Sequence, residues 1–214
     1  MRVDRNKYTN QPSSAYMDSP QTIGCGQTIS APHMHAHALE EMLPTLIQFS
    51  AIEGTELKIL DVGCGSGYLT TALGRMVDRK NGPIPPLVKG RVFGIEVVSP
   101  LVDLSQENIM KEDGDLFDSG TVTVAQGDGW RGLPEHAPYH VIHVGAAAER
   151  FPTDLMMQLY PNGGVMVIPV GADGGVQNLY RVERLRDGDV FKETDFSIRT
   201  LLGVRYVPLV HVHP

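Results

Sequence analysis

The stretch "LDVGCGSGYLT" (60–70) decides how the rest of the chain reads. Its opening residues close an apolar run, "KILDV" (58–62), of the kind that forms a strand buried on both faces of a parallel sheet. Its last residues open "YLTTALGRMV" (68–77), whose apolar residues recur at helical spacing and are followed by Arg79 and Lys80. Between them stand Gly63, Gly65 and Gly67, which let the backbone approach a ligand closely at the carboxyl end of a sheet. The spacing is G-x-G-x-G and not the G-x-G-x-x-G of dinucleotide folds, and Asp61 immediately precedes the turn. Negative charge at that point suits a cationic ligand better than a pyrophosphate.

Outward from this turn, short β-rich runs alternate with helix-like ones, the pattern of repeated βαβ units. "RVFGIEV" (91–97) reads as a second strand, and "SPLVDLSQENIMK" (99–111) as a helix with Ser99 as N-cap and Pro100 at its first position. "TVTVAQGDG" (121–129) and "YHVIHVGA" (139–146) supply further strands, "PTDLMMQLY" (152–160) a helix and "GGVMVIPVG" (163–171) a fifth strand. Beyond Gly175, "NLYRVERL" (178–185) and "DVFKETDF" (189–196) read as strands joined through the hairpin signal "RDGD", and "GVRYVPLV" (203–210) as a last strand. "DRKNGPIPPLVKG" (78–90) and "KEDGDLFDSG" (111–120) read as surface connections.

A chain of 214 residues with 42% hydrophobic content supports one sizeable core. We expect a single domain over 1–214, with an N-terminal substrate and cap segment (1–57), a ligand-binding βαβ core (58–170) and a C-terminal hairpin and last strand (171–214). The formal charge of -7, without a run of Lys and Arg, argues against a nucleic-acid partner. Cys25 and Cys64 do not form a paired spacing, which fits a reducing compartment. The N-terminus lacks the apolar core of a secretion signal and no apolar run approaches spanning length, so a cytoplasmic monomer with no membrane partner is expected.

Two more acids complete the ligand reading. Glu96 ends the second strand, where a carboxylate accepts from ribose hydroxyls, and Asp128 ends the third, where it could accept from an adenine amino group. Acids at three successive strand ends, with no phosphate-gripping cation among them, describe a site for a cationic nucleoside, S-adenosylmethionine. The order "DVGCGSG", "GIE", "GDG" resembles the Rossmann-like methyltransferases: an α/β, doubly wound, mostly parallel sheet with antiparallel C-terminal strands. A nicotinamide-dependent oxidoreductase would share the fold and Glu96 but not the glycine spacing or Asp61.

"YMDSPQTIGCGQTISAPHMHAHALE" (16–40), "LDVGCGSGYLT", "GDG", "APYHVIHVGAAA" (137–148), "GGVMVIPVG" and "GVRYVPL" (203–209) together resemble the protein-L-isoaspartate O-methyltransferases, "TISAPHMHA" (28–36) most specifically. The resemblance implies transfer of a methyl group from S-adenosyl-L-methionine to the α-carboxylate of L-isoaspartyl, and more weakly D-aspartyl, residues in damaged proteins and peptides, leaving S-adenosyl-L-homocysteine. It implies Ser30 at the active site, as an orienter of the incoming carboxylate and not a nucleophile. Gln27, Thr28, Ile29, Ser30, His35, Asp61, Gly63, Ser66, Glu96, Asp128 and Gly129 would line the cofactor. Three positions depart from the family pattern: His140 where "PYD" is usual, Trp130 after "GDG", and Val210 where "VPLT" supplies a threonine. A family member that binds the cofactor without catalysis is the rival reading.

His33, His35 and His37 also raise the question of a metal. His33 and His37 would lie one helical turn apart, but no carboxylate or cysteine completes a tetrahedral set, and no metal is assigned. The small residues of "HVGAAA" (143–148) read as packing beneath the site, and His211 and His213 as a frayed terminus.

Overall fold

The computed structural model describes residues 3–52, 54–78 and 89–211. Most of the loop expected at 78–90, the basic residues Arg79 and Lys80, and His213 lie outside them. In chain order the elements are two 3-10 turns (Arg5–Tyr8 and Pro12–Ser14), β1 (Gln21–Gly24), β2 (Gln27–Ile29), α1 (Pro32–Ser50), β3 (Leu57–Val62), α2 (Tyr68–Val77) and β4 (Gly90–Glu96). They continue with α3 (Ser99–Asp113), α4 (Asp115–Asp118), β5 (Val122–Gln126), β6 (Val141–Val144), α5 (Thr153–Met157), β7 (Val165–Val170), β8 (Gln177–Arg184) and β9 (Phe196–Val204).

The main sheet runs in the order β5-β4-β3-β6-β7-β8-β9, parallel from β5 to β7 and antiparallel thereafter. Its central strands bury both faces, as their continuous apolar runs require. Ile59, Val92, Val141 and Val167 face α1, α2 and α3, while Leu60, Phe93, Ile142 and Ile168 face the segment around α5. Helix α1 presents Met34, Ala38, Met42, Leu46 and Phe49 at helical spacing to the first of these faces. Met42 and Leu46 are fully buried, and truncating either to Ala would cost about 2 to 5 kcal/mol. Pro32 opens α1 as expected, its missing N–H falling where the helix needs none.

Three local expectations are corrected. Helix α3 begins at Ser99 itself, with Val98 at the N-cap and no side-chain cap from Ser99; Glu96 accepts from the nearby backbone instead. "DVFKETDF" is not a strand: β9 starts at Phe196, and residues 185–195 form a longer connection than the "RDGD" signal implies. "GVRYVPLV" is only partly strand, because β9 ends at Val204 and the chain beyond it leaves the sheet. Gln177 holds the departing segment at both ends of its amide, Oε1 accepting from Tyr206 N at 2.6 Å and Nε2 donating to Tyr206 O at 3.3 Å.

His140, one of the departures from the family pattern, lies at the amino end of β6, away from the strand ends that form the crevice. It is buried, stacked on Tyr160 with ring centroids 4.7 Å apart, and its Nδ1 accepts from Lys58 N at 3.0 Å. Its Nε2 is buried without a hydrogen-bond partner. Burial pushes the pKa down to about 4, against an unfolded value of about 6.5. The unfolded chain therefore takes up a proton that the folded chain refuses. This contribution is fully present above about pH 6.5 and is lost as the pH falls toward about 4, a span of roughly 3 kcal/mol. We expect His140→Asn, which keeps an acceptor for Lys58, to flatten this acid-limb loss in urea unfolding measured across that range; an unchanged limb would assign the acid sensitivity to other groups.

Candidate active site

The connection leaving β3 runs to β4 on one side, while β6 leads to β7 on the other, so the carboxyl ends of β3 and β6 part to form a crevice. Gly63 and Gly65 line its floor and Gly67 packs against Ser105 and Ile109 of α3, with φ of 73°, 55° and 85°, left-handed values that L side chains adopt only under strain. Gly63 and Cys64 donate their N–H groups to Ile95 O at 2.8 and 3.0 Å, fastening the turn to β4. Across from it a Cβ on Gly145 would sit 3.0 Å from Gly63 O, so a glycine keeps the crevice open from the β6 side as well.

Glu96 is buried at the end of β4. Its Oε2 accepts from Gly65 N at 3.1 Å, and its Oε1 from Val97 N at 2.9 Å and Val98 N at 3.1 Å. One carboxylate thus stitches the glycine turn to the start of α3. Asp61 does not present an open charge to a ligand, as the sequence suggested. It is buried, with Oδ2 accepting from Thr70 Oγ1 at 2.6 Å and Oδ1 lying 2.8 Å from His143 Nδ1. Asp128 is likewise engaged: Oδ1 accepts from Trp130 N at 2.9 Å, and Oδ2 lies 3.2 Å from His211 Nδ1. His211 stacks on Trp130 with centroids 5.2 Å apart, and Trp130 Nε1 donates to Leu209 O at 3.0 Å. Trp130 therefore tethers the C-terminal segment along the crevice.

One part of the crevice, open to solvent, is lined by Gln27, Thr28, Gly63, Glu96, Gly129 and Val207–Val210, among others. A second compartment adjoins it, lined by Ile29, Ser30, His35, Asp61, Ser66 and His143. Among the described residues no Lys or Arg lines either compartment. Ser30 also borders a third space that continues past Arg205 and Tyr206 into an open groove between Asp18–Pro20 and Val176. Its side chain hydrogen-bonds that of Tyr206, whose phenol burial holds above its usual pKa. Burial, with the charge of Arg5 second and His143 third, holds His35 well below the ordinary histidine value, so the ring is neutral.

The structure brings together Gln27, Thr28, Ile29, Ser30, His35, Asp61, Gly63, Ser66, Glu96 and Gly129. The carboxylate of Asp128 stands apart, turned toward Trp130 and His211. Sequence reasoning missed His143 and Gly145, read as packing within "HVGAAA", and it missed Arg5 and Tyr206. In that run Val144, Ala147 and Ala148 are packing residues, Val144 in the core and the two alanines bridging Pro208 and Val170. The signal for His143 was its place at a strand end in register with Asp61, which the parallel pairing of β3 and β6 makes a contact. The histidines of α1 do not converge: exposed His33 pairs with Asp18 at 2.6 Å, and among the described residues no group of three or more His, Cys, Asp or Glu could hold a metal.

A glycine-lined crevice at the switch point of a mostly parallel seven-stranded sheet, rich in carboxylates and free of lining cations, defines a Rossmann-like methyltransferase. The family model for protein-L-isoaspartate(D-aspartate) O-methyltransferase matches residues 1–213. Protein-L-isoaspartate O-methyltransferase 1 of Arabidopsis thaliana is 42% identical over 208 residues, covering 97% of this chain and 80% of that protein. The Caenorhabditis elegans protein of the same description is 42% identical over 183 residues, covering 86% and 73%. Among solved structures, the putative Plasmodium falciparum enzyme crystallised with S-adenosyl-L-homocysteine superposes with a TM-score of 0.78 at 30% identity, covering 97% of this chain and 86% of that one. The chain belongs to the protein-L-isoaspartate(D-aspartate) O-methyltransferase family.

The Glu96 clamp makes a direct prediction. Gln accepts on one oxygen only, so Glu96→Gln leaves either Gly65 N–H or the Val97 and Val98 N–H groups without an acceptor. We expect amide hydrogen exchange at one of these positions to quicken by about tenfold or more. Unchanged protection at all three would show that the carboxylate does not hold the turn.

Proposed function

We propose that this chain is a protein repair enzyme, moving a methyl group from S-adenosyl-L-methionine to the α-carboxylate of L-isoaspartyl residues, and more weakly D-aspartyl residues, in damaged proteins and peptides. The observation that carries this reading is the position of Ser30, which borders both the glycine-floored compartment and the space leading to the open groove. One side of the junction suits a bound nucleoside, and the other suits a polypeptide arriving from solvent.

The donor set fits the cofactor: carboxylates and glycines without a phosphate-gripping cation favour a positively charged nucleoside over a dinucleotide. Gln27, Thr28, Ile29, His35, Asp61, Gly63, Ser66, Glu96, Asp128 and Gly129 are proposed to hold it. When bound, S-adenosyl-L-methionine supplies a methyl group on a cationic sulfur, and S-adenosyl-L-homocysteine is the product. A carboxylate has about four acceptor positions, and three on Glu96 are taken by backbone N–H groups. Receiving both ribose hydroxyls therefore requires Glu96 to release an amide, with Gly65 the one on its own oxygen. An adenine amino group reaching Asp128 would share its carboxylate with Trp130 N and His211.

The acceptor needs no base, because an α-carboxyl group with pKa of about 3.3 to 3.7 is already ionised at neutral pH. Ser30 and Tyr206 are proposed to orient it by hydrogen bonds. The segment 1–57 would act as substrate cap, 58–170 as cofactor core, and 171–214 as the C-terminal hairpin and crevice wall. No helix among the described residues is long and apolar enough to cross a membrane. A cytoplasmic monomer with no nucleic-acid or membrane partner completes the reading.

Two experiments test it. Purified protein should methylate an isoaspartyl peptide and not its normal aspartyl twin, giving a base-labile ester, with activity insensitive to chelators. Tight binding of S-adenosyl-L-homocysteine without any base-labile product would leave the binding-only reading in its place. Ser30→Ala should lower kcat by about a hundredfold while leaving calorimetric affinity for S-adenosyl-L-homocysteine within a few-fold, as expected for loss of acceptor orientation. Equal losses in both would move Ser30 from the acceptor to the cofactor.

A further inference from the structure

Arg5 is fully buried, 1% exposed, in the first 3-10 turn. Among the described residues no carboxylate lies within ion-pairing distance of it. Its guanidinium fork is satisfied by other acceptors: Nε donates to Ala15 O at 2.6 Å, Nη2 to Ser30 O at 2.5 Å, and Nη1 lies 3.1 Å from His35 Nδ1. The guanidinium carbon also sits 5.3 Å over the Tyr68 ring, and that ring lies 5.1 Å from His35.

A guanidinium only donates, so the contact with His35 requires a bare lone pair on Nδ1. The imidazole is then neutral and carries its hydrogen on Nε2. The groups facing the ring are Arg5 from the N-terminal segment, Tyr68 from α2 and His143 from β6, and none supplies a negative charge that would favour imidazolium. His35 lines the compartment beside Ser30, where its Nε2–H is an available donor.

We infer that Arg5 is a positioning residue, which fixes His35 as the Nε2–H tautomer and pins the Ser30 carbonyl, so that one donor and one hydroxyl are set for the carboxylates entering the site. The inference deepens the proposed function in that it names the cofactor's amino-acid carboxylate as the partner of Nε2–H. The tautomer itself stands apart from that reading. Arg5 touches neither cofactor nor substrate and acts only through His35 and Ser30.

The test uses the full chain with ¹⁵N-labelled histidine. In the free protein His35 should show a bare Nδ1 and a protonated Nε2 throughout the range in which an ordinary histidine titrates, and Arg5→Met should mix the tautomers and return protonation toward that range. Binding of S-adenosyl-L-homocysteine, followed by calorimetry, should weaken by about tenfold or more in Arg5→Met and His35→Asn, but only a few-fold in His35→Gln, whose amide reaches the Nε2 position. In the His35→Gln background Arg5→Met should cost markedly less than in the native background, the mark of residues acting through each other.

If Arg5→Met does not fold, Arg5→Lys serves, since one ammonium cannot span Ala15 O, Ser30 O and His35 together. Tyr8→Phe is the control for docking alone. It loosens the same segment, whose Tyr8 hydroxyl lies 2.8 Å from Asp113 Oδ2, without touching the guanidinium. An Nδ1–H tautomer in the native protein would overturn the inference, as would Tyr8→Phe matching the Arg5 variants in both readouts. A fixed tautomer without S-adenosyl-L-homocysteine binding would overturn the proposed function and leave the positioning role standing.

Discussion

The crevice depends on one buried carboxylate. Backbone N–H groups at a glycine turn and ahead of a helix need acceptors, and while Gly67 finds one within the turn and Gly63 and Cys64 find Ile95 O, Gly65 must look beyond both. Glu96 supplies them for both segments from a single strand end, so the floor and the wall of the crevice move together or not at all. A neutral side chain of the same length has one acceptor oxygen and cannot do this. The negative charge thus has a structural purpose before any ligand arrives.

The same economy recurs at Asp61 and Asp128. Each was expected to meet the ligand directly, and each is committed to protein donors: Thr70 and His143 in one case, Trp130 and His211 in the other. These acids set the shape of the site by holding neighbours. His35 and His143, from different elements, are held in opposite senses. His35 accepts on Nδ1 from a cation, while Nδ1 of His143 faces a carboxylate. The second compartment is therefore lined by two imidazoles whose Nδ1 atoms face partners of opposite charge.

What was legible in the sequence is what periodicity and glycine can encode. The runs that became β3, β4, β6 and β7 are apolar on both faces because both faces are covered, and that leaves a continuous signal. Helix α2 was bounded correctly at both ends by the glycine turn before it and the end of its apolar repeat. β9 escaped because it is an edge strand: in "FSIRTLLGV" only Phe196 is buried, so alternation had nothing to record. The preceding "DVFKETDF" carries more apolar alternation than its exposed loop needs. At the site, the residues found were those that share a local motif. His143, Arg5 and Tyr206 reach it from separate parts of the chain, by sheet register, by a buried guanidinium and by the Gln177 clamp, and no local pattern announces such convergence.

The Gln177 clamp on Tyr206 has a temporal side. Because it turns the chain off the sheet after β9, residues 207–210 become a wall of the same crevice whose opposite wall comes from Gln27 and Thr28. A chain emerging from the ribosome can assemble the β3 to β7 layer well before those residues appear. Until they are in place the glycine floor stands open on one side. The crevice thus takes its final shape from contacts made late along the sequence, not from the sheet alone.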